Sequence, residues 1–202
     1  MRLQTASAHR TMRWANGAGT THEIVAVPGP ELWSWRLSLA EVDTDGPFSV
    51  LEGVDRALVV ASGRGMTLRI DGVGHPLACF EAVAFAGEAA VAAELHDGPV
   101  RDLNLMVRRG GGFGAPVLRV ERLAAGQDLP AGPWVAAVVL EGVLSLTTPV
   151  ETFPFNPVRQ RASRFDALIS DTVDDAGAVD AGPAARVTAV RDAVVALATF
   201  AS

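Results

Sequence analysis

The chain has 202 residues, 49% of them apolar and 20% charged, with a formal net charge of -6. That length buries enough surface for a self-sufficient core, so one large domain or two small ones are expected without disulfide or metal staples. The acidic balance argues against a nucleic-acid partner, and all 17 basic residues are arginine, which excludes lysine Schiff-base and pyridoxal chemistry.

Met1-Arg2-Leu3-Gln4 lacks the apolar stretch of a secretory leader. No apolar run approaches ~18 residues, so no membrane helix is expected. The expectation is a soluble, cytoplasmic bacterial protein. A short turn of helix is predicted near 5–9. Strands are predicted over 22–27, 32–40, 56–61, 66–70, 82–86, 90–95, 101–108, 116–122, 134–140, 143–147, 166–169, 185–190 and 193–199. The clearest is 32–40, where Trp33, Trp35, Leu37 and Leu39 alternate with Ser34, Arg36 and Ser38. No segment holds a 3.6-residue period over twelve positions, and Gly, Pro and Asp punctuate the strands. The pattern predicts an all-β protein, a barrel or sandwich. Cys79, the single cysteine, excludes an internal disulfide and reads as a small core residue. Long loops are predicted over 149–163 and 171–184, the second a solvated acidic loop rather than a calcium site.

An internal repeat runs through the chain. Ala57-Leu-Val-Val-Ala-Ser-Gly63 is matched by Ala136-Ala-Val-Val-Leu-Glu-Gly142, each followed by an alternating strand. Cys79-Phe80-Glu81-Ala82-Val83 is matched by Arg164-Phe165-Asp166-Ala167-Leu168. Each half then closes with two strands around Asp97 or Asp192. Duplication predicts two similar barrels, 1–112 and 113–202. The Gly-rich stretch Arg109–Gly114 would connect them, and it lacks the Lys-Ser/Thr of a phosphate loop.

Four blocks in order resemble the HutD/Ves family across roughly residues 10–122. They are Trp14-Ala-Asn-Gly-Ala-Gly-Thr-Thr-His-Glu-Ile24, Trp35-Arg-Leu-Ser38, Gly46-Pro-Phe-Ser49 through Gly53-Val-Asp-Arg56, and Asp102-Leu-Asn-Leu-Met106. Where that family usually carries Lys, Gly and Arg in the first block, this chain has Ala15, Ala18 and His22. The resemblance implies a bicupin, two cupin-like jelly-roll barrels in one chain. It also implies a link to bacterial histidine catabolism, as a small-molecule-binding modulator whose ligand is a formylated or formimino-substituted glutamate.

Many cupins hold a metal through His-x-His, because alternation puts residues i and i+2 on one face. None of His9, His22, His75 and His96 forms that pair, and His75 and His96 read as turn residues. No metal and no cofactor are expected. No Gly-x-Ser-x-Gly or other nucleophilic arrangement is present either.

The pocket candidates come from strand faces. Asp102, Asn104, Met106 and Arg108 share one face of 101–108, Thr21 and Glu23 share another, and Arg36 and Ser38 a third. These faces either point outward to water or inward around a ligand, and the resemblance blocks fall on them. In the inward reading Arg36 grips a carboxylate. Glu23 or Asp102 receives an N–H, and Asn104 both donates and accepts. Asn16-Gly17-Ala18-Gly19-Thr20 either floors the pocket with backbone N–H groups or simply lets Trp14 pack. Arg56 either pairs with Asp55 to fix a loop or stands at the pocket mouth. Trp14 and Trp33 read as core or rim.

The candidate ligand-binding set is therefore Asn16, Thr21, Glu23, Arg36, Ser38, Arg56, Asp102, Asn104 and Met106, with a small anionic metabolite as partner. Two rivals remain. One is an isomerase or hydrolase working through Glu23 or Asp102. The other is an interaction module with an exposed apolar patch. Pairing of edge strands into a homodimer is a further expectation.

Overall fold

A computed structural model describes residues 1–14, 17, 19–148, 158–170 and 185–201. Among them the chain is all-β. The strands are β1 (Arg2–Gln4), β2 (Arg10–Arg13), β3 (Gly19–Val27), β4 (Trp35–Val42), β5 (Gly46–Pro47), β6 (Val54–Ser62), β7 (Met66–Ile70) and β8 (Val73–Leu77). There follow β9 (Ala82–Ala86), β10 (Val91–Leu95), β11 (Val100–Arg108), β12 (Pro116–Leu123), β13 (Ala136–Thr148), β14 (Val158–Ala162), β15 (Ala167–Ile169) and β16 (Arg186–Phe200). One 3-10 turn, Ala6–Ala8, sits where a helical turn was expected. No helix among the described residues is long and apolar enough to cross a membrane.

The chain forms two compact units. The first unit is His9–Leu118 with Phe200–Ser202, and the second is Arg119–Thr199 with Met1–Ala8. The expected division at 112/113 compares with an observed one at 118/119, and the first eight residues pack with the later half. In the first unit, a six-stranded sheet ordered β2-β3-β4-β11-β6-β9 faces a four-stranded sheet ordered β5-β10-β7-β8. Val42, Leu58, Val60, Phe85 and Val100 from the larger sheet meet Met66, Leu68, Leu77, Val91 and Ala93 from the smaller, and this closes an apolar core between them. The second unit is built on the sheet β1-β15-β13-β16-β12, with β14 also paired to β13. Its core gathers Ala137, Val139, Leu144, Leu146, Leu168, Val195 and Leu197.

Several expectations are corrected. His75, read as a turn residue, lies with Pro76 in β8, an edge strand where proline is tolerated. The segments 134–140 and 143–147 form one strand, β13, and 185–190 and 193–199 form β16. Register shifts around Glu141 and Val143 absorb Gly142 as a bulge instead of a turn. The loop expected over 149–163 gives way to β14 from residue 158; its earlier part and the loop expected over 171–184 lie outside the described residues. Cys79 is half-buried in the turn before β9, not in the core. Trp33 precedes β4, so strand alternation does not reach it, and it packs against Val54 and Met106.

The repeat read from the sequence is also a repeat of hydrogen bonds. The Phe80 N–H donates to the Val60 carbonyl at 2.8 Å, the Val60 N–H to the Glu81 carbonyl at 3.1 Å, and the Ala78 N–H to the Glu81 carboxylate at 2.8 Å. In the second unit, the Phe165 N–H donates to Val139 at 2.6 Å, Val139 to Asp166 at 3.0 Å, and Ser163 to the Asp166 carboxylate at 2.7 Å. Phe80 and Phe165 share a left-handed φ of 73° and 66°, unusual for bulky residues. Gly63 and Gly142 each stand three residues after Val60 and Val139, with φ of 102° and 89°. A Cβ at either would strike the backbone of the strand alongside, at Pro99 and Val100 or at Asp192 and Ala193.

Candidate functional site

The site is built by strand register in the six-stranded sheet. Glu23 on β3 lies opposite Ser38 on β4, Ser38 opposite Asn104 on β11, and Asn104 opposite Leu58 on β6. One step along the same face, Arg36, Met106 and Arg56 line up; one step the other way, Thr21, Ala40, Asp102 and Val60 do. Side chains alternate along a strand, so these residues share one face. The opposite face carries Trp35, Leu37, Leu39, Leu103 and Leu105, all buried. The polar face is thus not a solvated exterior: Ser38, Arg56, Asp102 and Asn104 are buried as well.

This face lines a cavity of about 470 Å³, within the range of small-metabolite sites. Thr21, Arg36, Ser38, Arg56, Asp102, Asn104 and Met106 are in its wall. Glu23 stands just behind, against Arg36, and Asn16 lies outside the described residues. Met12, Trp14 and the segment Pro47-Phe48-Ser49 with Leu51 complete the wall. Sequence reasoning assigned no role to Phe48, Ser49 and Leu51. Their signal was the Gly46–Ser49 block, whose irregular backbone gives no face to read.

Each polar side chain has a distinct situation. Arg36 Nε is 2.9 Å from Glu23 Oε2, yet its N–H makes no hydrogen bond to any acceptor among the described residues. The contact is one of charge, not a hydrogen bond. Arg10 also approaches Glu23, at 4.0 Å, so one carboxylate serves two guanidinium groups. Arg56 is held more tightly. Its Nε–H donates to Asn104 Oδ1 at 3.3 Å, and its Nη1 to the Ser49 carbonyl at 3.4 Å. Its guanidinium lies 5.3 Å from the Phe48 ring centroid and 5.0 Å from that of Phe85. Burial pushes the Arg56 pKa down, opposed by the charge of Asp102. Asp55 pairs with Arg109 at 3.7 Å, not with Arg56.

The chain of bonds continues inward. Asn104 Nδ2 donates to Asp102 Oδ1 at 3.3 Å. Asp102 is fully buried, and its Oδ2 has no hydrogen-bond partner among the described residues. Burial raises its pKa from 3.8 to about 6, while Arg56 and the Asn104 hydrogen bond pull the other way. A carboxyl at that value is an acceptor that gains or loses its proton near neutrality.

Trp14 is fixed at the rim by its indole N–H, which donates to Thr21 Oγ1 at 2.7 Å. Gly19 opens β3 beneath it. A Cβ there would run into the Glu41 carbonyl and crowd the Trp14 ring, so glycine permits the close approach. Arg108, expected on the polar face, folds away: its Nε–H donates to the Trp33 carbonyl at 3.0 Å and its guanidinium lies over the Trp33 ring. Among the described residues no group of three or more His, Cys, Asp or Glu side chains is arranged to hold a metal. His22 contacts Thr11 and His96 contacts Thr67, both at exposed positions.

Comparison with known proteins places the chain in a family. The HutD family model matches residues 6–183. The chain belongs to the HutD family. An uncharacterised 21.2 kDa protein of the hutC 3′ region of Pseudomonas putida is 40% identical over 109 residues, which are 52% of this chain and 57% of that protein. Protein Ves of Cronobacter sakazakii is 42% identical over 98 residues, 48% of this chain and 54% of its own length. The chain thus spans little more than half the length of the curated relatives it matches.

Among solved structures, a conserved protein of unknown function from Pseudomonas aeruginosa PAO1 superposes with a TM-score of 0.78 at 27% identity, covering 100% of this chain and 98% of that one. HutD from Pseudomonas fluorescens SBW25 gives 0.67 at 23%, covering 100% and 99%. A cupin 2 conserved barrel domain protein from Leptotrichia buccalis gives 0.53 at 10%, covering 95% and 96%. These likenesses make the fold cupin-like.

Proposed function

We propose that this HutD-family chain is a cytoplasmic, metal-free bicupin that binds a small carboxylate metabolite in its first unit and modulates histidine catabolism. The observation that carries the proposal is the cavity of about 470 Å³ in which Arg36 and Arg56 meet a buried carboxylate with a free oxygen. Arg10 and Arg36 share one carboxylate, which leaves positive charge over for an anion. Arg36 is therefore the anchor for the ligand carboxylate. Arg56 is already committed to Asn104 and Ser49. Asp102 and Asn104 orient the polar end, which suits a formyl- or formimino-glutamate. The pathway link is supported by the family and by the relative named for the hutC region. Two duplicated barrels are supported by the repeated hydrogen-bond pattern. The proposal includes a homodimer paired through a free edge such as β9, and no nucleic-acid or membrane partner.

Thermal unfolding of metal-stripped protein tests this, with histidine, urocanate, formiminoglutamate, formylglutamate, glutamate and formate as additives. Ligand at ~100 times its Kd adds ~2.7 kcal/mol, a rise of roughly 5–10 °C at this chain length. Arg36→Ala is expected to weaken binding at least tenfold, the value of a charge-assisted bond. A flat screen, or full binding by Arg36→Ala, refutes the assignment. One observation favours a second reading: a buried carboxyl with a pKa of about 6 suits general acid–base catalysis. In that reading the enzyme is an isomerase or hydrolase. Glu23 stands behind the wall, so Asp102 would carry the chemistry, and Asp102→Asn would lose turnover while keeping affinity.

A further inference from the structure

We infer that Asp102 makes the pocket selective for a ligand whose far end is a cationic N–H donor, an amidine or guanidine, over an equally long ligand ending in a neutral amide or a second carboxylate. The inference rests on the reading of the cavity as a small-carboxylate site and adds the chemistry of the other end. Asp102 is the innermost charge of the cavity wall. Its Oδ1 accepts from Asn104, which is itself held by Arg56, and these bonds favour one orientation of the carboxylate. Its Oδ2 faces no donor among the described residues. An ionised acceptor buried in this way is stabilised by a donor, most by a charged one, and is destabilised by a second anion.

The spacing agrees. Arg36 leans to Glu23, which is level with Ser38 in the register, and Asp102 is level with Ala40. Two residues along a strand separate those levels, roughly 7 Å, and β3 and β11 are two strands apart, roughly 10 Å across the sheet. A short ω-guanidino or ω-amidino acid of four to five backbone atoms spans those steps once a hydrogen-bond length is allowed at each end, with its carboxylate on Arg36 and its N–H groups on Asp102.

The test uses three probes of matched length on the full chain: 4-guanidinobutyrate, 4-ureidobutyrate and adipate. Titration calorimetry at pH 7 is expected to rank them in that order, with at least tenfold between guanidine and urea. Asp102→Asn, checked by circular dichroism for its fold, is expected to reduce that ratio to near one and to improve adipate. Equal binding of the guanidino and ureido probes, or an undiminished preference in Asp102→Asn, overturns the inference and leaves the carboxylate site standing. Failure of all three probes, with Arg36→Ala indistinguishable from wild type toward every acid in the thermal screen, overturns the site reading and the inference with it.

Discussion

In the first unit Val60 faces Asp102 and Leu58 faces Asn104 across β6 and β11. At the matching places of the second unit Val139 faces Val195 and Ala137 faces Leu197 across β13 and β16. Arg56, two residues before Leu58, has its counterpart in Val135, two before Ala137. The chain Arg56–Asn104–Asp102 thus stands where the other unit has Val135, Leu197 and Val195, each 0–1% exposed. The backbone on both sides carries the same shift in register, between Arg101 and Asp102 and at Val139/Glu141. Of seven buried polar or charged side chains among the described residues, six belong to the first unit and only Asp166 to the second. Hydrocarbon is therefore sufficient for this fold at these positions. Burying a guanidinium, an amide and a carboxylate instead is costly, and the cavity they line gives the reason for keeping them.

The sharpest way to break that comparison is to convert one interior into the other. Arg56→Val alone removes the countercharge of Asp102, the donor to Asn104 and the tie to Ser49. Breaking a buried charged network in this way costs on the order of 3–5 kcal/mol. Adding Asn104→Leu and Asp102→Val reproduces the second unit's hydrocarbon set. That triple variant is expected to recover the loss, equalling or exceeding wild type in urea unfolding, and to bind no ligand. If the triple is less stable than Arg56→Val, the polar set is structural and the comparison fails.

A second test isolates Asp102. Unfolded, it titrates near its ordinary value of 3.8; folded, near 6. Below the lower value it is neutral in both states. Between the two, the folded chain keeps a proton that the unfolded chain has released, so stability falls as pH rises. Above about 6 the loss is complete, and the displacement corresponds to ~3 kcal/mol. Asp102→Asn removes this term. Relative to wild type it is expected to gain stability between pH 4 and pH 7, as read from urea midpoints at both ends. A constant difference would show that Asp102 does not carry the burial penalty.

How much of this was legible in the sequence follows from what alternation can and cannot report. The spacing of Asp102, Asn104 and Met106, and of Arg36 and Ser38, put each set on one face, and the structure places both sets in one wall. The pairing of those faces came only with the register of β3, β4, β6 and β11, which depends on long-range contacts. Phe48 and Ser49 were missed because they belong to no strand. Gly142 was misread as a turn because a bulge and a turn use glycine alike. The repeat was visible in Val60/Val139 and Phe80/Phe165. The replacement of Asp102 by Val195 was also within reach, but bulges make the matched segments differ in spacing, so alignment by eye stops at the glycines.

The smallest expected effects compare Asp166 with Glu81, the matched carboxylates of the repeat. Both accept the N–H three residues earlier, from Ser163 and Ala78. Asp166 is buried and also accepts the Ala6 N–H at 2.8 Å. It thereby fastens the segment that places β1 beside β15 and Leu3 against the second unit's core. Glu81 is exposed and makes the single local bond. Asp166→Ala is expected to cost ~2 kcal/mol, since two N–H donors in part-buried bonds lose a charged acceptor. Hydrogen exchange should accelerate at Ala6 and through β1, with ligand affinity unchanged because the cavity belongs to the other unit. Glu81→Ala is expected to cost less than half as much and to speed exchange only at Ala78. Equal losses from the two variants would mean that the shared turn, not the capture of the N-terminal segment, accounts for the value of Asp166.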